Sequence, residues 1–452
     1  LTGIWFDPKA PGDGFTVTQG GSGTVVYFFG YDEPGQRLWL VTDLIQTELF
    51  AETTLSVPAY LGETGIFAMP GDAVAPWGTL TITPQNCDAA RFELEGLDGS
   101  KTFEGIRLAD GGRPCDVAIA APFQELNAQG VDRYLGMFAP SGSQTLGGGI
   151  TTYAFAREDG PLCFTGSSFA MSTRDGSSDE LMIFLQGGGV CGPNACDAVE
   201  TANPAIPTFG ILDAADPNNP AAEFDVGYLP YCDGTFFTGD SDADSDGDGI
   251  DDRFFRGIQN LSASLDVIVG RYPAPSRILL IGNSAGGYGV HYALPLVRKV
   301  YPRVAIEVVN DSGVGISSPG TLASLSDYWN AGAFYPASCP TCIGEDGHLT
   351  DYHSYQLAED TNIRMGFISS KQDSRIADEG LMIGGPAFEA ALLPALAELR
   401  EAFPDRFRSL VADGDEHTFV IRQIDYPVGD TTVREWLADL LSGGAAWISV
   451  SD

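Results

Sequence analysis

Arg277-Ile-Leu-Leu-Ile281 followed by Gly282-Asn-Ser284-Ala-Gly286-Gly287 decides the fold of this 452-residue chain. The apolar run reads as a buried strand. The next stretch, Tyr288–Tyr301 (YGVHYALPLVRKVY), carries apolar residues at helical spacing. Strand, tight turn and helix in that order present a serine hydroxyl above the edge of a sheet. Such a turn crowds the backbone, so the positions two before and two after the serine must be small. Here both are glycine.

Working outward, Glu180–Gln186 (ELMIFLQ) reads as an earlier buried strand, and Gly187-Gly188-Gly189 follows it directly. A glycine turn there lets backbone N–H groups approach a reacting carbonyl. The amides of Gly188 and Gly189, with that of Ala285 after the serine, are the expected oxyanion donors. A general base must be one of four histidines. His291 lies too far along the helix behind the turn. His348 and His353 fall in a polar segment and are read as lid or surface residues. His417 follows the strand Phe407–Ala412 (FRSLVA), where this architecture places its base. The acid should lie between Ser284 and His417 in the chain. Asp373, just after Arg364–Ser369 (RMGFIS), meets that requirement. Asp311, at the end of Val304–Val309, is the alternative. The order of elements is that of an α/β-hydrolase, a mostly parallel sheet with helices on both faces.

Several strings occur in one order: Gly187-Gly-Gly-Val-Cys191, Tyr231-Cys-Asp-Gly-Thr-Phe-Phe-Thr-Gly-Asp240, Phe254-Phe-Arg-Gly257, Ser284-Ala-Gly-Gly287, Asn310-Asp-Ser-Gly313 and the late His417. Together they resemble the pectin acetylesterase/Notum family of secreted carboxylesterases over roughly residues 160–420. The resemblance implies a Ser284–His417–Asp373 triad, oxyanion amides from Gly188, Gly189 and Ala285, and disulfides Cys191–Cys196 and Cys163–Cys232. The chain departs from the family at Val190, where an aromatic residue is usual, at Asn283, where cysteine is common, and at Gln186, where glutamate is common. These changes bear on the acyl pocket and so on the substrate.

The eight cysteines are even in number, which suits disulfides in an oxidising compartment. Cys87–Cys115 would close the N-terminal part. Cys339-Pro-Thr-Cys342 reads as a short disulfide loop. A zinc site with His348 and His353 would need a far longer central spacing. Net charge is −37, with four lysines against twenty arginines. The acidic excess is spread over both parts of the chain, which reads as adaptation to a saline habitat. It argues against nucleic-acid partners and against steering toward polyanions. No run of about 20 apolar residues is present, so no membrane span is expected. The chain opens at Leu1 without a basic, apolar leader and is read as a mature form, extracellular or periplasmic, bacterial and monomeric.

Residues 1–115 run in short strand-like pieces, such as Gly23–Phe29 and Arg37–Thr42, divided by Gly, Pro and Asp. This is an all-β pattern, expected as an accessory domain ahead of a catalytic domain at 116–452. Trp5, Tyr27, Trp39 and Trp77 could face a carbohydrate or polymer, although core packing is the expected fate of most of them. Within the catalytic domain, 315–360 reads as lid-like and 240–252 (DSDADSDGDGIDD) as an insertion. Asp244, Asp246, Asp248, Ile250 through its carbonyl, and Asp252 match the ligand phase of a calcium loop, with Gly249 at the turn. Phe255 stands where a bidentate Glu would be. A structural Ca2+ is therefore expected, and no organic cofactor.

The combined expectation is a secreted serine ester hydrolase that removes acetyl or other small acyl groups, with a polymeric ester such as an acetylated polysaccharide as leading substrate. Alternatives are a polyester depolymerase and a calcium-dependent glycan-binding protein with an inactive hydrolase domain.

Overall fold

A computed structural model describes residues 2–10, 12–20, 23–31, 35–45, 54–62, 74–84, 89–109, 122–343, 348–381, 383–444 and 446–452. The chain divides into two compact units, Leu1–Ala121 and Pro122–Asp452. The boundary expected at 115/116, and Cys87 and Cys115, lie outside the described residues.

The first unit is a closed barrel of eight antiparallel strands in sequence order. Gly3–Phe6 closes it by pairing with both Gly14–Gly20 and Gly99–Ala109. Side chains alternate in and out along each strand. The inward set includes Trp5, Phe15, Phe28, Leu40, Ile82, Phe92 and Phe103. Phe15 stacks on Phe92 with ring centroids 4.2 Å apart. Of the four aromatics singled out from sequence, Trp5 and Trp77 are in this core, whereas Tyr27 and Trp39 are exposed on the outer face.

The second unit is built on a ten-stranded sheet. Its order is Val450–Ser451, Phe407–Ala412, Ile363–Ser370, Ala305–Asp311, Arg277–Asn283, Leu181–Leu185, Asp225–Leu229, Ala170–Arg174, Ile150–Ala154 and Gly142–Thr145. The first seven are parallel, and the last three add antiparallel. The central strands carry unbroken apolar runs, Leu181–Leu185 and Ile278–Ile281, because both faces are covered. Ile183 and Leu280 point to one face, toward the helices Gly257–Arg271, Ala285–Val300, Thr350–Glu359 and Gly385–Ala402. Phe184 and Ile281 point to the other, where Val433–Ser442 is the packed helix, joined by Ile211, Leu212, Phe419 and Val420. Helices thus lie on both faces, but unevenly. The segment from 203 to 224, which is mostly non-helical, and the chain after His417 fill the second face.

Three disulfides are present among the described residues: Cys163–Cys232, Cys191–Cys196 and Cys339–Cys342. No helix among the described residues is long and apolar enough to cross a membrane.

Candidate active site

Parallel strands end together at one edge of the sheet, and their C-terminal extensions meet there. Register makes this concrete: Asn283 pairs with Asp311, Asp311 with Ile368, and Ser370 with Ala412. Ser284 comes directly off the first of these strands and N-caps the helix Ala285–Val300. Its φ of 54° and ψ of −122° are strained for a residue with a side chain. The flanking glycines permit the turn. A Cβ on Gly282 would meet the Gly286 carbonyl oxygen at 2.3 Å, and one on Gly286 would meet the Leu185 oxygen at 2.0 Å. The helix begins immediately after the serine, three residues earlier than its apolar spacing indicated.

The next two extensions are laced to each other. The amides of Lys371, Gln372 and Ser374 donate to the carbonyls of Ala412, Gly414 and Asp415. Ser370 Oγ donates to the Glu416 carbonyl at 2.5 Å. This places His417 Nδ1 at 2.9 and 2.8 Å from the two oxygens of Asp373, which is fully buried. His417 Nε2 lies 2.9 Å from Ser284 Oγ. Ser284, His417 and Asp373 therefore form one continuous chain of contacts.

Asp311 does not touch the imidazole ring through either oxygen. Its Oδ2 accepts from the amides of Phe419 and Val420, at 2.8 and 2.9 Å. Burial pushes its carboxyl up to about 6, against the pull of those two amides and of His417. Position after the strand that precedes the histidine strand favours Asp373 in sequence, with Asp311 as the alternative, and the loop paths bring Asp373 to the ring.

Gly188, Gly189 and Ala285 line the same cavity as Ser284 and His417, with a volume of about 900 Å³. Gly187 donates its amide to Asn283 Oδ1 at 3.3 Å, which fixes the glycine turn to the residue before the nucleophile. Beyond the turn, Gly189–Cys191 pairs with Cys196–Ala198, and Cys191–Cys196 closes that hairpin. Apolar side chains of the cavity wall include Val190, Val199, Phe236, Leu325, Ile376 and Leu381. Phe236 sits at φ 56° and stacks on Tyr288 at 4.4 Å. Its conformation is held by buried Asp233, whose Oδ1 accepts from the amides of Thr235 and Phe237. Phe236 was not singled out from sequence as a site residue. Its signal was Asp233-Gly-Thr-Phe236, a polar turn-former ahead of two aromatics.

The histidine His353, read from sequence as lid or surface, is instead in the core. It is 1% exposed and packs against His291 with centroids 4.1 Å apart. The helix Thr350–Glu359 turns it inward, so a polar-looking segment supplies a packed face. His291 Nδ1 lies 3.0 Å from Gln356 Oε1, and its Nε2 lies 2.8 Å from Asn310 Nδ2. Burial lowers both histidines, His291 to about 4 and His353 well below its ordinary value. His348 is half-buried. From the lid-like range, Pro319, Thr321, Ser324 and Leu325 contribute to the cavity wall.

In the acidic insertion, carboxylate oxygens of Asp244, Asp246 and Asp248 lie within 4.8 Å of one another. These three fit a cation by donor type and spacing. Asp244 also accepts from the amides of Gly247 and Gly249, at 2.7 Å each. Asp252 is not among these three. Its carboxylate accepts from the amide and hydroxyl of Ser245, at 2.8 and 2.7 Å. The short ladder of Ser241–Ala243 with Arg253–Phe255, extended by the Asp252 amide donating to the Ala243 carbonyl at 3.0 Å, ties the two ends of the loop together. The Ile250 amide donates to Asp248, and its side chain is exposed.

No curated protein matches the chain. The pectinacetylesterase family model matches residues 143–325, a span that holds the glycine turn, Ser284 and Asp311 but ends before Asp373 and His417. Residues 143–325 are thus similar to the pectinacetylesterase family, in line with the resemblance carried by the ordered motifs.

Proposed function

We propose that the protein is a secreted serine carboxylic-ester hydrolase that works through an acyl-enzyme. The observation that carries this reading is the unbroken Asp373–His417–Ser284 contact chain opening into a cavity lined by Gly188, Gly189 and Ala285. Asp373 accepts a hydrogen bond from the Nδ1–H of His417, which keeps that proton on the ring and leaves Nε2 as the acceptor facing Ser284. Ser284 Oγ attacks the ester carbonyl as His417 takes its proton. The tetrahedral oxygen rests on the amides of Gly188, Gly189 and Ala285. Collapse expels the alcohol, which receives the proton from His417. Water then attacks the acyl-Ser284 ester by the same route and releases the acid.

The leading substrates are acetylated polysaccharides and other small acyl esters. The apolar wall of Val190, Val199, Phe236, Leu325, Ile376 and Leu381 favours a second reading, a polyester with bulkier acyl units. Asp244, Asp246 and Asp248 would hold a structural calcium ion, which would neutralise clustered charge and take no part in the reaction.

A serine-directed phosphonate should label Ser284 once per molecule, and Ser284→Ala should abolish turnover in folded protein. Turnover by that variant at the parent rate would refute the mechanism. Rates on nitrophenyl acetate, acetylated glycans and aliphatic or aromatic polyesters would rank the two substrate readings.

A further inference from the structure

The tip of the strand Ala305–Asp311 reaches both the nucleophile and the base without touching a reacting atom. The main-chain carbonyl of Asp311 accepts the Ser284 amide at 2.8 Å. Its carboxylate accepts the amides of Phe419 and Val420, the second and third residues after His417. Ser312 Oγ accepts the Thr418 amide at 3.0 Å and lies 3.1 Å from Asp311 Oδ1, to which it donates. The Ser312 amide in turn donates to the Ile368 carbonyl at 2.8 Å, on the strand that leads to Asp373. Three consecutive amides after His417 are thus taken by two adjacent side chains. Asp311 and Ser312 are both fully buried. Thr418 and Ser312 hold left-handed conformations, with φ of 67° and 61°, which persist only where the surroundings over-determine them.

We propose that Asp311 and Ser312 are positioning residues that lock the His417 loop to the Ser284 turn. The proposal rests on the serine-esterase reading above. Upstream of His417, the loop is laced to the Asp373 extension. Downstream, among the described residues, the first three amides are held by this pair alone. Removing the acceptor leaves two buried amides unpaired and lets the imidazole drift from Ser284. A misplacement of about 1 Å can cost about 10²-fold in rate. The carboxylate acts here as a geometric acceptor, whereas Asp373 acts on the ring itself.

The test uses the full chain and nitrophenyl acetate, with active sites titrated by phosphonate so that kcat refers to folded, labelled enzyme. Asp311→Ala should lower kcat about 100-fold, with KM within about twofold of the parent. Asp311→Asn, which keeps an oxygen acceptor, should recover at least about a tenfold part of that loss. Ser312→Ala should cost kcat severalfold and slow phosphonate labelling in step. A merely structural role would reduce the titrated fraction and leave kcat per site at the parent value, and that result in Asp311→Ala overturns the proposal. If Asp311→Ala does not fold, Ser312→Ala decides, and an unchanged kcat overturns it. An Asp311→Asn enzyme as slow as Asp311→Ala also overturns it, because charge and not the acceptor would then be the cause. Failure of the underlying reading looks different: Ser284→Ala would itself remain active.

Discussion

Asn310 and Asp311 are consecutive at the end of one strand, and each serves a different histidine. Asn310 faces His291 inside the core, where the imidazole is bounded by Gln356, Asn310, His353 and Phe367. Asp311 faces the opposite side and holds the loop that carries His417, which lies between a carboxylate and a hydroxyl. Consecutive strand residues must point to opposite faces, so one strand end serves a buried histidine among amides and rings and, on its other side, a histidine set between a carboxylate and a hydroxyl. Burial among amides and rings penalises a charge on His291.

The largest effect that could break this comparison is on rate. Asp373→Asn should reduce kcat by roughly 10³–10⁴, because the amide favours the wrong tautomer of His417. His417→Gln should do at least as much. Neither should greatly alter the melting temperature. Steady-state kinetics on titrated enzyme checks this, and an active Asp373→Asn variant would remove the distinction between the two histidines.

The core pair should instead appear in stability. His291 is lowered to about 4 by burial, from an ordinary 6.5. Its folded value lies below its unfolded one, so the stabilisation of the neutral form is complete above pH 6.5 and is lost as pH falls toward 4. Between pH 7 and pH 5 the loss from this group is about 2 kcal/mol. Asp311, raised to about 6, contributes with the opposite sign between about 4 and 6. The measurement is therefore a difference: denaturant unfolding at pH 7 and pH 5, parent against His291→Gln, with the variant losing less. Equal losses would show that His291 is not the group that resists protonation.

Two smaller effects concern carboxylates that remain in water. With a net charge of −37, self-repulsion should be screened by salt, so the melting temperature should rise by several degrees from low to molar NaCl. A flat trend would argue against the saline reading. Chelation by EGTA should lower the melting temperature by a few degrees at most, with calcium restoring it, and leave the initial rate of folded enzyme unchanged. Asp246→Ala combined with Asp248→Ala should remove that response. Loss of rate on chelation, in protein that remains folded, would tie the acidic loop to the active site.

Much of the site was legible because its residues are constrained by local geometry. Gly282 and Gly286 flank Ser284 because nothing larger fits, and the glycine triplet follows a strand for the same reason. Its place on a loop after a late strand singles out His417 as the base. Legibility stopped where contact depends on loop paths. Position in the chain favours Asp373 over Asp311, but it is the lacing of 371–374 to 412–415 that brings Asp373 to the imidazole. His353 looked exposed because its segment is polar, yet the helix face it occupies is packed against Phe367. Trp39 and Trp5 are both strand tryptophans, and barrel closure sends one outward and the other in.

By itself, then, the sequence determined the strand–turn–helix at Ser284, the all-β character of the N-terminal part, and the apolar strands that can only form a sheet covered on both faces. These follow from periodicity and from steric exclusion within a few residues. Tertiary structure alone decided that Asp311 and Ser312 bind the three amides after His417, and that two of the four histidines are locked in the core. Each of these is a contact between segments tens to more than a hundred residues apart, set by sheet register and loop direction. No local pattern encodes such pairings, because the energy that selects them comes from burying the whole assembly at once.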